Sequence, residues 1–307
     1  MKKYIDNISI TMPRTRKSNN NRKRRKNKKK TRRKIKKSSC APRNKDDVLD
    51  FSCYSKEDLM NMRNIWNARH PDVKIKSKNT KKIWDKLGEY MSDICDREVC
   101  WIESNIFKNE MKKDIIFSPK SPDAWKKNIN EWLTSLDILK FMKQYENTYK
   151  CYEFLGPSPI DYDTHVHNGD CVWEDLCEFN LKKTMNRKIN KVGIIFNLDP
   201  HYKSGSHWVC MFINFKKKFV YYFDSYGDAA PKQIRKFARD VQDQSEKFGK
   251  RFKYSHNKLR HQYKNSECGM YCLYTIIQLL KDKKINIFNR SIPDKKMENL
   301  RKKYFNI

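Results

Sequence analysis

Apolar residues recur at helical spacing in three segments of the first half of the chain. The first segment follows Ser55 and Asp58, which resemble a capping box, and it ends before Pro71. The apolar positions of the three segments are Leu59, Met62 and Trp66; Ile83, Trp84, Leu87, Tyr90, Met91 and Ile94; and Ile138, Phe141, Met142 and Tyr145. A period near 3.6 residues predicts one amphipathic helix for each segment.

The pattern changes after Gly156-Pro157. Three short runs rich in β-branched and aromatic residues predict strands: VGIIFNLD (192–199), HWVCMFINF (207–215) and FVYYFDSYG (219–227). Pro231 opens a polar helix to about Phe248, FKYSH (252–256) predicts a short strand, and CGMYCLYTIIQLL from Cys268 predicts a buried helix. Helices, then strands, then a core helix is the order of an α+β fold rather than of repeated βαβ units.

Positive charge is concentrated at the start of the chain. The 307 residues include 68 Lys and Arg against 36 Asp and Glu, a formal net charge of +32. Residues 1–45 contain 20 of the basic residues and one acid, and 16 of the 24 positions from Arg14 to Lys37 are basic. Such a segment cannot bury enough apolar surface to offset the entropy of ordering it. We therefore expect residues 1–45 to be a disordered basic arm and the folded part to begin near residue 46.

Several classes of protein are excluded by composition. No run approaches the ~18–20 apolar residues that would span a bilayer, so no membrane association is predicted. The first residues lack the apolar core of a signal peptide, so we expect an intracellular protein whose ten cysteines are reduced thiols.

The basic arm has two functional interpretations. Arg14 to Lys37 could bind nucleic acid without sequence preference through phosphates, in a salt-sensitive manner, or could act as a nuclear-localisation signal. A solvated tail with no specific partner is the alternative. No aromatic residue interleaves these positions, which argues against stacking on bases.

Four polar residues stand at the ends of the predicted strands and of the last helix. His207 begins one strand, Asp224 ends the next, and Gln262 and Cys268 precede the helix. A cysteine at a helix N-terminus beside an imidazolium is activated as a thiolate, and the histidine serves as base and then as acid. A carboxylate orients the imidazole, and an amide can donate to the developing oxyanion. The set predicts nucleophilic thiol chemistry.

Three runs carry a family resemblance: GSHW (205–208), YYFDSYG (221–227) and HQYKNSECGMYC (261–272). They resemble the cysteine peptidases that include adenain and the SUMO-specific proteases. The resemblance implies a papain-like or adenain-like fold, with a central mixed sheet packed on the nucleophile-bearing helix and an N-terminal helical region. It implies catalytic roles for His207, Asp224, Gln262 and Cys268. We expect the folded part to consist of an N-terminal helical region (46–130) and a cysteine peptidase core (131–307).

Two tryptophans gain an expected role from the same resemblance. Trp208 matches the aromatic residue that in SUMO proteases helps to close a narrow tunnel over a Gly-Gly pair. Trp132 resembles the residue that supplies the opposite wall. Both are therefore predicted to bind substrate.

CDREVCW (95–101), FLGPSPIDYD (154–163) and RSIPDKKMENLRKKYF (290–305) are similar to the core-protein proteases of large DNA viruses, such as those of African swine fever virus and Mimivirus. This similarity implies an endopeptidase that cleaves viral core or polyprotein precursors after small residues, of Gly-Gly-X type, during virion maturation. Its expected location is the virion and the host cytoplasm, in the viral factory, with the nucleus as the alternative.

Two other functions remain open on the same residues. The first is an isopeptidase that removes SUMO, ubiquitin or a similar modifier. The second is a nucleic-acid-binding structural protein on an inactive peptidase scaffold. No cofactor is predicted, although adenain, which DNA and a peptide promote, suggests an activator of that kind as a hypothesis.

One group of residues could ligate a metal ion. His165, His167, Cys171 and Cys177 form an H-x-H-x3-C-x5-C pattern, but structural zinc sites usually show tighter paired spacing. No metal site is therefore predicted. His201, just upstream of His207, is interpreted as a decoy rather than as the base.

Overall fold

The computed structural model describes residues 35–36, 38–43, 49–108, 110–166 and 168–307. Its α-helices are α1 (Lys56–Arg69), α2 (Thr80–Met91), α3 (Lys113–Ile116), α4 (Ser135–Thr148), α5 (Glu174–Cys177), α6 (Leu181–Asn186), α7 (Lys232–Glu246), α8 (Cys268–Leu280) and α9 (Asp294–Tyr304). Its strands are β1 (Tyr152–Phe154), β2 (Ser158–Pro159), β3 (Lys191–Asn197), β4 (Trp208–Asn214), β5 (Phe219–Phe223) and β6 (Lys253–His256). Most of the predicted basic arm lies outside the described residues.

The three helices predicted in the first half of the chain are present as α1, α2 and α4. Ser55 caps α1 by accepting a hydrogen bond from the backbone of Asp58, whose carboxylate accepts one from the backbone of Ser55. Thr134 caps α4 through the same reciprocal pattern, which satisfies amides that have no partner inside the helix. α2 ends at Met91, so Ile94, which the sequence assigned to this helix, lies beyond it and is exposed.

The strands form one mixed sheet in the order β1-β3-β4-β5-β6, and β2 also pairs with β3. The central pairs β3–β4 and β4–β5 are antiparallel, whereas β1 and β2 run parallel to β3 and β6 runs parallel to β5. A hairpin turn joins β4 to β5, and Lys218 in this turn has a φ of +57°. All the predicted strands are therefore confirmed.

Alternate side chains of β4 face two different layers of helices. Cys210 and Phe212 pack with residues of α8 and α4, while Val209, Met211 and Ile213 pack with residues of α7. Since β4 is buried along its whole length, its sequence is a continuous apolar run rather than an alternating one. The predicted α+β architecture, a mixed sheet packed on the nucleophile-bearing helix, is confirmed.

A third cluster of apolar side chains lies between α1, α2 and the segment that follows them. The rings of Tyr54 and Trp101 stack there, with centroids 5.9 Å apart. Buried Glu98 accepts hydrogen bonds from the side chains of Ser52 and Trp84 and from the backbone of Cys53. Residues 34–307 cluster as one unit, and the boundaries predicted at residues 46 and 131 stay predictions.

The expectation that all ten cysteines are reduced thiols is wrong in this structure. Three pairs are disulfide-bonded: Cys40 with Cys53, Cys95 with Cys100, and Cys171 with Cys177. The partners of each pair are at most 13 residues apart, so each bond joins positions that are close in the sequence. Cys151, Cys210, Cys268 and Cys272 are free.

Among the described residues, no helix combines the length and the apolar character that crossing a bilayer requires.

Candidate active site

Two polar side chains meet at one end of the strand pair β4–β5. His207 directly precedes β4 and Asp224 directly follows β5, so the antiparallel pairing brings them side by side. The Nε2 atom of His207 lies 2.7 Å from Oδ1 of Asp224, and both side chains are buried. A short contact of this kind is typical of a charge-assisted hydrogen bond.

Cys268 is the first residue of α8, and its side chain hydrogen-bonds to His207. Burial lowers the pKa of His207, but the hydrogen bonds to Asp224 and Cys268 outweigh this effect and raise the pKa to about 9. His207 is therefore an imidazolium at neutral pH, the partner that favours a thiolate. The N-terminal end of α8 adds a further field that favours negative charge.

The backbone of Asp224 is held by a buried amide side chain. Oδ1 of Asn257 accepts a hydrogen bond from the Asp224 backbone N–H (3.0 Å), and its Nδ2 donates to the Asp224 carbonyl (2.6 Å). The backbone N–H of Tyr226 also donates to Oδ1 of Asp224, at 2.9 Å. The Tyr226 ring stacks on the His207 imidazole, with centroids 4.6 Å apart and planes 9° apart. These contacts fix both members of the pair.

Gln262 is completely buried and is tied to the turn that follows Asp224. The carbonyl of Ser225 accepts the backbone N–H of Gln262 at 2.9 Å, and the Ser225 hydroxyl donates to Oε1 of Gln262 at 2.7 Å. Nε2 of Gln262 donates one hydrogen bond, to the carbonyl of Lys264 at 2.5 Å. Because an amide nitrogen carries two hydrogens, one remains to donate to another acceptor.

Trp132 and Trp208 both line one groove, which has a volume of about 620 Å³. Trp208 follows His207 directly and is buried, and its indole Nε1 donates to the carbonyl of Leu133 at 3.1 Å. Gly269, next to Cys268, lets α8 approach this wall: a Cβ there would lie 3.3 Å from Leu133 and 3.4 Å from Trp208. The groove therefore runs beside the His207–Cys268 pair.

His201 lies on a separate part of the same loop. Its Nδ1 is 2.7 Å from a carboxylate oxygen of Asp161, and its side chain is exposed. It does not join the His207–Asp224 pair, in agreement with its interpretation as a decoy.

The residues considered as metal ligands are brought together only in part. His165, Cys171 and Cys177 place their ligand atoms within 4.8 Å of one another, whereas His167 lies outside the described residues. Cys171 and Cys177 are bonded to each other, which leaves His165 as the one free ligand among the described members. The prediction that no metal is bound stays a prediction.

Sequence reasoning found the four polar residues but missed those that hold them in place. Asn257 directly follows β6, the neighbour of β5, and a polar residue at that strand end is a signal that could have pointed to it. Ser225 and Tyr226 lie in the run FVYYFDSYG (219–227), and no role was predicted for either of them. The stretch from Arg14 to Lys34, which carries most of the basic arm, lies outside the described residues, so its binding to nucleic acid stays untested.

Comparison with known proteins gives three consistent matches. Residues 140–307 match the model of the Ulp1 protease family, C-terminal catalytic domain. The chain is 30% identical over 290 residues to a protein of Acanthamoeba polyphaga mimivirus that is named a thiol protease, covering 87% of this chain and 92% of that protein. It is also 30% identical over 222 residues to a SUMO-1 cysteine protease of African swine fever virus, covering 64% of this chain and 79% of that protein.

The fold has a counterpart among solved structures. The crystal structure of the African swine fever virus protease superposes with a TM-score of 0.62 at 19% sequence identity, covering 88% of this chain and 96% of that chain. The predicted adenain-like and SUMO-protease-like fold is thereby confirmed.

Proposed function

Because the chain belongs to the Ulp1 protease family and is a cysteine-type peptidase, we propose that Cys268, His207 and Asp224 form its catalytic triad. The observation that carries this proposal is the buried His207–Asp224 pair, hydrogen-bonded to a cysteine at the beginning of a helix. Gln262, which is tied to the same turn as Asp224, completes the set as an oxyanion donor.

The reaction proceeds in two steps. The Cys268 thiolate attacks the carbonyl carbon of the scissile bond and forms a C–S bond, and His207 gives its proton to the departing amine. Neutral His207 then removes a proton from water, whose oxygen attacks the thioester and releases the acid product. Asp224 keeps the imidazole oriented through Nε2, which leaves Nδ1 for the proton transfers.

Negative charge develops on the carbonyl oxygen in both steps. The free N–H of the Gln262 side chain and the backbone N–H at Cys268 are the proposed donors to it. Cys268 is the first residue of α8, where helical amides have no partner within the helix. One donor of this kind is typically worth ~10²–10³ in rate.

The proposed substrates are protein chains cleaved after small residues, of Gly-Gly-X type. Support comes from Trp132 and Trp208, which both line the groove, Trp208 directly after His207 in the chain. The proposal includes processing of viral core or polyprotein precursors, and it is supported by the two relatives only in so far as both are named as proteases of viruses. Action in the virion and in the host cytoplasm is part of the same proposal, with no cofactor apart from a DNA or peptide activator.

A SUMO or ubiquitin-like isopeptidase is the second candidate. It uses the same catalytic groups, and it is favoured by the relative that is named a SUMO-1 cysteine protease. An inactive scaffold that binds nucleic acid has less support, because His207, Asp224 and Cys268 are held in contact and Gln262 is tied to the same turn.

Cleavage of an internally quenched peptide containing Gly-Gly-X tests the proposal. The unmodified protein is compared with Cys268→Ala, and a SUMO fusion is offered as a second substrate. Cleavage of the peptide by the unmodified protein alone supports the endopeptidase, and cleavage of the fusion alone supports the isopeptidase. If both proteins fail on both substrates, with and without added DNA, the proposed activity is contradicted.

A further inference from the structure

The C-terminal helix α9 carries a charged side chain with no exposure to solvent. Arg301 and Glu267 are both completely buried. The guanidinium of Arg301 donates to both carboxylate oxygens of Glu267 at 3.0–3.2 Å. A buried guanidinium must have its charge and its N–H groups satisfied, because removing them from water is costly. The remaining contacts of Arg301 show where that requirement is met.

Arg301 joins the two segments that border the reacting thiol. Nη2 donates to the carbonyl of Ser266 at 2.9 Å, so two residues that directly precede Cys268 are held by one guanidinium. Nη1 donates to the carbonyl of Glu131 at 2.7 Å, and the next residue in the chain is Trp132, on the wall of the groove. The nucleophile and the groove wall are therefore fixed relative to each other by a single side chain.

The same helix holds the loop between Gln262 and Cys268 at its other end. Asp294, the first residue of α9, accepts the backbone N–H groups of Tyr263 at 2.9 Å and Lys264 at 3.0 Å. The carbonyl of Lys264 in turn accepts the hydrogen bond from Nε2 of Gln262. The loop between oxyanion donor and nucleophile thus has both ends anchored on α9.

Arg301 also neutralises a carboxylate next to the nucleophile. Burial raises the pKa of Glu267, and the hydrogen bond and charge of Arg301 oppose that rise. Without Arg301, a buried carboxylate beside Cys268 either takes up a proton or repels the thiolate. The other titratable groups that interact with Cys268 directly, or through its histidine, are His207, Asp224, Tyr226 and Cys272.

We propose that α9 is a positioning element for catalysis, in which Arg301 places Cys268 against the groove wall and neutralises Glu267, and Asp294 places the loop that bears Gln262. This inference rests on the proposed thiol mechanism. Arg301 and Asp294 touch neither substrate nor reacting atoms, so they act through the residues that they hold.

The test is the rate at which iodoacetamide alkylates Cys268 between pH 5 and 9, without substrate, with the modified site identified by mass spectrometry. In Arg301→Met, Cys268 should be alkylated roughly tenfold more slowly at pH 7, and the acid limb of the plot of rate against pH should move to higher pH. Arg301→Met/Glu267→Gln, which removes both charges, should return the limb towards that of the unmodified protein. Lys303→Met, an exposed change on the same helix, is the matched control and should leave the profile unchanged.

Circular dichroism establishes that each variant is folded before its rate is interpreted. If Arg301→Met does not fold, Arg301→Lys takes its place in the test. Lysine keeps the positive charge but lacks the forked guanidinium that reaches the carbonyls of Glu131 and Ser266 together. If the folded Arg301→Met variant, or Arg301→Lys in its place, keeps the rate and profile of the unmodified protein, the inference is overturned. His207→Ala separates the two proposals: if it does not slow alkylation, the thiol mechanism itself is contradicted, whereas slowing by His207→Ala alone contradicts only the role of α9.

Discussion

Nε2 of His207 lies 2.7 Å from Oδ1 of Asp224, which leaves Nδ1 as the ring nitrogen available to Cys268. One imidazolium therefore has a potential anion on each side, in a place that is shielded from water. Because each partner stabilises the positive charge, removing either one has a separate and measurable consequence.

The pH dependence of stability should report the titration of His207. Its pKa, about 9 in the folded protein, lies above the ordinary value of 6.5. A group whose pKa is raised by folding stabilises the fold fully below its unfolded pKa, and that contribution is lost as the pH rises through the folded pKa. Relative to His207→Gln, we expect the free energy of unfolding to fall by on the order of 1–3 kcal/mol between pH 6.5 and 9, measured by urea denaturation.

Cys268→Ala is the control for this profile. It removes one of the two hydrogen bonds that raise the pKa of His207, so the fall, which begins near the unfolded pKa in both proteins, should end at lower pH and be smaller. The same profile with and without Cys268 would contradict the coupling between the two side chains.

Replacing the Asp224 carboxylate by its amide should impair turnover more than folding. Asp224→Asn keeps the size of the side chain but removes the charge that stabilises the imidazolium and fixes its tautomer. We expect kcat/KM to fall by about 10²- to 10⁴-fold in the quenched-peptide assay. Asp228→Asn, an exposed change on the same turn, should leave it unaltered. Equal losses in the two variants would point to a general effect of charge.

The Gln262 side chain should matter for turnover and not for the reactivity of the thiol. Gln262→Ala removes the proposed donor to the oxyanion, so kcat should fall by about 10²- to 10³-fold. Iodoacetamide alkylation of Cys268 forms no oxyanion, and its rate should stay within about twofold of the original. A parallel loss of both rates would mean that Gln262 supports the loop through Ser225 and Lys264 rather than the transition state.

Local sequence signals predicted the helices and strands well, because each depends on neighbours along the chain. The capping box at Ser55, the apolar run of β4 and the helix that begins at Cys268 were all visible in the sequence and are all present. Nucleophilic thiol chemistry could be predicted from the order of His207, Asp224, Gln262 and Cys268 in the chain. These polar residues stand at strand ends and near the start of a helix, which are places that meet at one edge of a sheet.

Residues that hold the site through contacts distant in the chain could not be predicted in the same way. Arg301 lies 34 positions from Glu267 and 170 from Glu131, and nothing in the lysine- and arginine-rich run around it distinguishes it from an exposed base. Asn257 contacts Asp224 across 33 positions. The cysteine pairs were missed because the expectation of reduced thiols came from the lack of a secretion signal and not from the distances between sulfurs.

The preference for a small residue before the cleaved bond should depend on Trp132. Trp132 is only partly buried at the groove, so Trp132→Ala widens the groove without opening the core. We expect the ratio of kcat/KM for Gly-Gly-X over Gly-Val-X peptides to fall by roughly tenfold or more, the range typical of a pocket that gains space for methyl groups.

Trp208→Phe is the comparison, because it keeps a ring and loses the hydrogen bond to the carbonyl of Leu133. That variant should lower kcat/KM for both peptides by a similar factor, since the wall is loosened rather than removed. An unchanged ratio in Trp132→Ala would show that the limit on side-chain size is set elsewhere in the groove.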